Sequence, residues 1–181
     1  MGKVKEVIVC VAASISAYKA CDLVRILTKK NFSVRVLMTP EAVNFIQPLT
    51  FSTLSYKPVF TDMFADTFIN GRPLHIALAR QADLIVVVPA TANVIAKLAC
   101  GICDDLVTGV IIAAKTKIMV CPAMNDYMYN HPATKINLQK IKEFGYQVIS
   151  PSVGQLADGK VGIGHLAEIA LISAKIEEAL K

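Results

Sequence analysis

The sequence predicts an α/β fold, a single doubly wound, Rossmann-like parallel sheet with helices on both faces, forming one domain over residues 1–181. Three observations carry that reading. Short unbroken apolar runs recur along the chain, as expected for parallel strands buried on both faces. Segments with helical spacing separate them, which implies right-handed crossovers. Small or hydroxylated residues also recur where the strands end, and in open α/β sheets ligands bind at that edge.

The elements follow in order. Glu6 to Ala13 (EVIVCVAA) is the first strand. Ile15 to Lys30 is helical, with Ala17, Cys21, Val24 and Leu27 on one side and Lys19, Asp22 and Lys29 elsewhere. Ser33 to Met38 is the second strand. Glu41 to Ile46 and Leu49 to Ser55 are short helical pieces punctuated by Pro48 and Pro58. Residues 59–74, which include Asn70-Gly71, show no period and read as a loop. Ala82 to Val88 is a strand and Ala92 to Cys100 a helix. Asp104 and Asp105 open a further helix to Lys115, with acid suitably placed at its start. Lys117 to Cys121 is a strand. Asp126 to Pro132 turns into a helix over Pro132 to Phe144, ended by Gly145. Tyr146 to Ser150 is a strand, Pro151 to Gly164 an irregular glycine-rich stretch, and Glu168 to Leu180 the last helix.

Composition narrows the function. Hydrophobic residues make up 54% and charged residues 18%. No uncharged run reaches the roughly 20 residues of a membrane span. Leu84 to Ala96 is among the longest and contains Pro89, Thr91 and Asn93. No signal peptide is evident, so a cytoplasmic protein is expected. The apolar excess is expected to be buried between subunits. The net charge of +5 comes from scattered Lys and Arg, without aromatics interleaved and without Trp. That argues against nucleic acid and suits an anionic ligand. The five cysteines are odd in number and form no disulfide framework. Cys100-Gly101-Ile102-Cys103 lacks a second pair or a His cluster for zinc, and reads as structural, since free Cys often acts as a small buried hydrophobe.

Four strand ends carry candidate chemistry. Ala12-Ala13-Ser14-Ile15-Ser16 lets backbone amides approach an anion at a helix start, with hydroxyls from Ser14 and Ser16; an ordinary helix cap is the alternative. Thr39 ends the second strand, and Pro89-Ala90-Thr91-Ala92-Asn93 the third. Pro122-Ala123-Met124-Asn125 ends the fourth. Asn125 can hold a carboxylate or carbonyl in a fixed orientation, or can simply cap the next helix. His75, after the irregular segment, can be a general base or a structural histidine. His131 and His165 have weaker claims.

These segments resemble the flavin-dependent cysteine decarboxylases over nearly the whole chain. The resemblance runs through residues 14–19, Met38-Thr39, residues 45–50, residues 75–79, residues 89–93, Pro122-Ala123-Met124-Asn125 and residues 154–159. The Pro-Ala-Met-Asn motif, the upstream His and the glycine-rich tail point to the coenzyme A branch, away from the flavin prenyltransferases. The resemblance implies bound FMN. Ala13, Ser14, Ser16 and Thr39 would lie near its phosphate and ribityl chain, with Pro89, Ala90, Thr91, Ala92, Asn93 and Ala123 around the rest. His75 matches the family's base. Asn125 matches the residue holding the substrate carboxylate, with Met124 and Ala157 also against substrate. The substrate thiol is oxidised to a thioaldehyde, carbon dioxide leaves and an enethiolate remains. In the coenzyme A branch the flavin returns the hydride, and a cysteine of the tail loop supplies a proton.

Here that loop reads Leu156-Ala157-Asp158-Gly159, with Asp158 where the cysteine is usual. Ala13 likewise stands where glycine is usual. Conversion of 4'-phospho-N-pantothenoylcysteine to 4'-phosphopantetheine, with Asp158 as proton donor, is the activity implied. Oxidative decarboxylation of a C-terminal peptide cysteine to an enethiol is the alternative, and a non-catalytic flavin-binding regulatory role a third. A homo-oligomer, trimer or dodecamer, is implied. The chain stops at Lys181, so the ligase domain fused to some relatives is expected to be absent.

Overall fold

A computed structural model describes residues 4–65, 68–69 and 71–181. Five parallel strands form its centre: β1 (Glu6–Val11), β2 (Ser33–Met38), β5 (Leu84–Ala90), β6 (Lys117–Pro122) and β7 (Gln147–Val148). Their order is β2-β1-β5-β6-β7. Val7 pairs with both Val34 and Leu84, and Leu84 in turn with Lys117. The chain winds outward in opposite directions from β1 and β5, and the crevice beyond their carboxyl ends is where such sheets take ligands.

Alternation along β1 builds two cores. Val7, Val9 and Val11 face α1 (Ala17–Lys29), α2 (Pro48–Ser55) and α8 (Ile169–Leu180). Ile8 and Cys10 face α3 (Leu74–Gln81), α4 (Ala92–Cys100), α5 (Leu106–Ala113) and α7 (Pro132–Glu143). All of β5 is buried, so its unbroken apolar run is the signature of burial on both sides. The expected fold class is present.

Helix boundaries follow local chemistry. Thr91 caps α4 by accepting the Val94 amide at 3.3 Å, and Gly101 ends it at φ +71°. Asp105 and Thr108 form a capping box on α5. No helix among the described residues is long and apolar enough to cross a membrane, and no metal-binding cluster occurs among them.

Several expectations need correction. The loop reading of 59–74 misses a small pairing of β3 (Phe68–Ile69) with β4 (Arg72–Pro73) and the start of α3 at Leu74; Asn70 of its Asn-Gly pair lies outside the described residues. The irregular stretch 151–164 is largely a hairpin of β8 (Ser152–Gln155) and β9 (Val161–His165). A short helix, α6 (Asp126–Asn130), precedes α7. The strand expected over 146–150 shortens to β7, and β1 stops two residues early, freeing Ala12 and Ala13 for the loop. Cys100 and Cys103 are exposed, so they do not act as buried hydrophobes; Cys10 and Cys121 do. Burial pushes both of those thiols upward, which makes them inert.

Candidate functional site

A cleft of about 620 Å3 opens at the carboxyl rim of the sheet. Three backbone bonds bring its walls together. The Ala12 amide donates to the Pro89 carbonyl at 3.3 Å, the Ala123 amide to the Ala90 carbonyl at 3.0 Å, and the Thr39 amide to the Val11 carbonyl at 3.0 Å. Pro89 and Ala90 therefore act through their carbonyls, holding neighbouring loops in line.

Ala13, Ser14 and Ser16 form one wall. The Ser16 amide donates to Ser14 Oγ at 3.2 Å, but no side chain caps α1. The capping alternative for these serines is thus not realised at the helix start, and the positive end of α1 opens on the cleft. Thr91 and Ala92 form the next wall, then Ala123, Met124 and Asn125. Ala157 and Asp158 close the cleft from the hairpin turn. Pro89, Ala90, Thr39 and Asn93 do not line it; Asn93 is exposed and Thr39 buried.

Asn125 fulfils both readings of its role. Its Oδ1 accepts the Tyr127 amide at 2.9 Å, capping α6. That bond fixes the carboxamide so that Nδ2 donates outward, to Asp158 Oδ2 at 3.1 Å. The other Asp158 oxygen accepts the Lys160 amide at 3.2 Å. A carboxylate thus already sits on the Asn125 donor.

The hairpin is fastened to this loop by close backbone approach. The Met124 amide donates to the Gly164 carbonyl at 3.0 Å. Gly164 has φ +138°, and a Cβ there would stand 2.1 Å from the Met124 carbonyl oxygen. Lys160 lies 5.4 Å over the Tyr127 ring, tying the turn to α6.

His75 is not part of this cleft. It lies in the first turn of α3, which begins at the same rim but packs on the opposite face of the sheet, with His75 beside Gly109 of α5. It is half-buried. Its hydrogen-bonding capacity is not used by any described residue. His131 is structural: its Nδ1 accepts the Ala133 amide at 3.2 Å and caps α7. His165 lines the cleft, as does Lys19, and the two share a hydrogen bond. The sequence pattern passed over Lys19 because it looks like the wet side of an amphipathic helix.

The cleft suits a flavin mononucleotide. Thr39 Oγ1 is fully buried with no hydrogen-bond partner, at the rim strand end expected near the ribityl phosphate. Buried hydroxyls are ordinarily satisfied, and this one has no partner among the described residues. The uncapped start of α1 supplies the matching positive end for a phosphate.

Fold and cleft together are those of a doubly wound α/β protein whose rim asparagine, Asn125, donates to a carboxylate of its own chain. The chain belongs to the flavoprotein family, whose description matches residues 1–181. It is 47% identical over 165 residues to the coenzyme A biosynthesis bifunctional protein CoaBC of Bacillus subtilis, covering 91% of this chain and 40% of that protein. It therefore spans about two fifths of the bifunctional relatives it matches. It is 45% identical to a probable phosphopantothenoylcysteine decarboxylase of Streptococcus mutans, covering 97% and 99%. Among solved structures, a PPC decarboxylase mutant complexed with pantothenoylaminoethenethiol superposes with TM-score 0.87 at 31% identity, covering 97% and 98%. The peptidyl-cysteine decarboxylase EpiD does so with TM-score 0.82 at 26% identity, covering 97% and 99%.

Proposed function

We propose that this chain is an FMN-dependent carboxy-lyase that converts 4'-phospho-N-pantothenoylcysteine to 4'-phosphopantetheine in coenzyme A synthesis, a cytoplasmic role. The observation that carries the reading is the Asn125 carboxamide. Its oxygen is committed to the α6 cap, so its N–H faces the cleft, where a carboxylate accepts it. The substrate's cysteine carboxylate takes that bond when Asp158 yields it.

Each residue then has a task. Ala13, Ser14, Ser16 and Thr39 hold the ribityl phosphate, and Thr91, Ala92, Asn93 and Ala123 the remainder of the flavin, with Pro89 and Ala90 aligning the loops. FMN, when bound, would take up the two electrons lost as the cysteine thiol becomes a thioaldehyde and would return them as hydride once carbon dioxide has left. Asn125 keeps the carboxylate oriented for departure as carbon dioxide, with Met124 and Ala157 excluding water around it. His75 takes the substrate proton. Because it lies outside its own cleft, it serves that of a neighbouring copy in a homo-oligomer, a trimer or a dodecamer built from trimers. Exposed Phe45, Leu49, Ile15 and Tyr18 suit such contacts. Asp158 then donates the proton that completes the saturated thiol.

Asp158 also favours a second reading, in which the product stops at the enethiol and the substrate is a peptide ending in cysteine. The protein loaded with FMN is incubated with each substrate, and carbon dioxide and product mass are measured. Release from the phosphopantothenoyl compound with a saturated product supports the first reading. An enethiol, two hydrogens lighter, from the peptide alone supports the second. No carbon dioxide from either refutes both.

A further inference from the structure

We infer that Asp158 competes with ligand carboxylates for the donor of Asn125, so that the hairpin tip disfavours ligands that carry a carboxylate and spares those that have lost it, an inference that rests on the proposed decarboxylase function. Asn125 Nδ2 donates to Asp158 Oδ2 at 3.1 Å, and the Lys160 amide donates to Oδ1 at 3.2 Å. Both oxygens thus accept N–H groups, as those of an ionised carboxylate do. A ligand carboxylate needs the same Nδ2, because Asn125 Oδ1 accepts the Tyr127 amide and donates nothing. The second Nδ2 proton offers no escape. A carboxylate that took it would stand against the Asp158 charge, and like charges at such range repel.

The tip is shaped to rest in that seat. The Leu156 amide donates to the Lys160 carbonyl at 2.7 Å and the Gly159 amide to the Leu156 carbonyl at 3.0 Å, which closes a tight turn around Asp158. A Cβ on Gly162 would come within 3.1 Å of Asp126 Cβ and of the Leu156 side chain, so glycine there lets β9 lie against the start of α6. The base of the hairpin is pinned by the backbone bond from Met124 to Gly164 at 3.0 Å. The tip is held more lightly, by the exposed Asn125–Asp158 bond and by Lys160 at 5.4 Å over the Tyr127 ring. A ligand can therefore lift Asp158 without unfolding the hairpin.

Competition of this kind has a definite signature. Asp158 is the one acidic side chain among the described residues that line the cleft. A seat free about one tenth of the time weakens a ligand carboxylate about tenfold, and leaves unchanged a ligand that does not use the seat. Departure of carbon dioxide empties the seat, and Asp158 returns to it. The contact therefore weakens substrate binding and not product binding, which makes Asp158 a specificity-determining residue.

Two unreactive compounds separate the cases: 4'-phospho-N-pantothenoylserine, in which a hydroxyl replaces the reacting thiol, and 4'-phospho-N-pantothenoylethanolamine, the same compound without its carboxylate. Each is titrated calorimetrically into the FMN-loaded protein. Asp158→Ala is expected to tighten the serine compound about tenfold and to leave the ethanolamine compound unchanged. In an Asn125→Ala background the same substitution should change neither. Equal effects on both compounds, or none on either, overturn the inference. Amide exchange followed by mass spectrometry tests the unsubstituted protein: the serine compound should speed exchange across residues 156–160 and the ethanolamine compound should not, and a like response to both overturns the competition. Because these readouts are of binding, selectivity without carbon dioxide release would sink the decarboxylase reading alone, and carbon dioxide release without selectivity would sink the inference alone. Binding of neither compound to either protein would sink both.

Discussion

Gly164→Ala tests whether the hairpin positions Asn125. The added Cβ would sit 2.1 Å from the Met124 carbonyl oxygen, whereas real contacts do not fall below 3.0 Å. One backbone must retreat by about 1 Å. Both backbones belong to the site, and the retreat strains the Met124 amide bond to the Gly164 carbonyl. A φ of +138° adds a cost of its own, of order 1–3 kcal/mol for a residue with a side chain. Overpacking adds roughly 1–3 kcal/mol. A total near 3 kcal/mol lowers the melting temperature by about 6–12 °C for a chain of this size. Displacing Asn125 by about 1 Å should reduce kcat/KM by roughly 10²-fold. Gly145→Ala is the control. Gly145 also has positive φ, +88°, but open space around it and a place at the end of α7, far from the cleft. It should lose about 1 kcal/mol and no activity. Thermal melts and carbon dioxide release read both. A Gly164→Ala protein with parental stability and parental kcat/KM would refute the argument that this contact holds the site.

Three further outcomes follow from particular groups. His75→Asn should keep flavin absorbance and lose 10²-fold or more in decarboxylation, as expected for a general base; full turnover would remove His75 from the reaction. Thr39→Val should weaken FMN binding about tenfold, yet leave the flavin-free protein as stable or more so, because its buried hydroxyl has no partner there; equal FMN affinity would disconnect Thr39 from the cofactor. Burial raises the Glu6 pKa, but hydrogen bonds from Ser33, Lys57 and Arg35 outweigh it and hold the carboxyl below the ordinary glutamate range. A depressed folded pKa stabilises the fold above the unfolded value and loses that contribution as pH falls through the folded one. Glu6→Gln should therefore be less stable than the parent at pH 7, with the gap closing below about pH 4 in denaturant titrations; a gap independent of pH would contradict this.

What the sequence made legible is what local pattern encodes. The parallel strands announce themselves because both faces are buried, so β1 and β5 read as apolar runs. The strand-end loops were legible because small residues are needed where loops converge, and those after β1, β5 and β6 line the cleft, whereas the one after β2 does not. The start of α3 was not, since it follows Pro73 without a capping side chain. β8 and β9 hid behind Gly154, Gly162 and Gly164, residues of low strand propensity. Those glycines answer to partners distant in sequence: the His165 ring, Asp126 and the Met124 carbonyl. The Lys19–His165 bond joins residues 146 positions apart, which no local period can register. The placement of His75 outside its own cleft is likewise a property of topology, since α3 and α1 start at one rim on opposite faces.

The most direct measurement is a titration of the purified, flavin-free protein with FMN, followed by absorbance and fluorescence. Saturation at one flavin per chain, with shifted bands and quenched emission, is the outcome this account predicts. A protein that leaves the FMN spectrum unchanged at every concentration would contradict it.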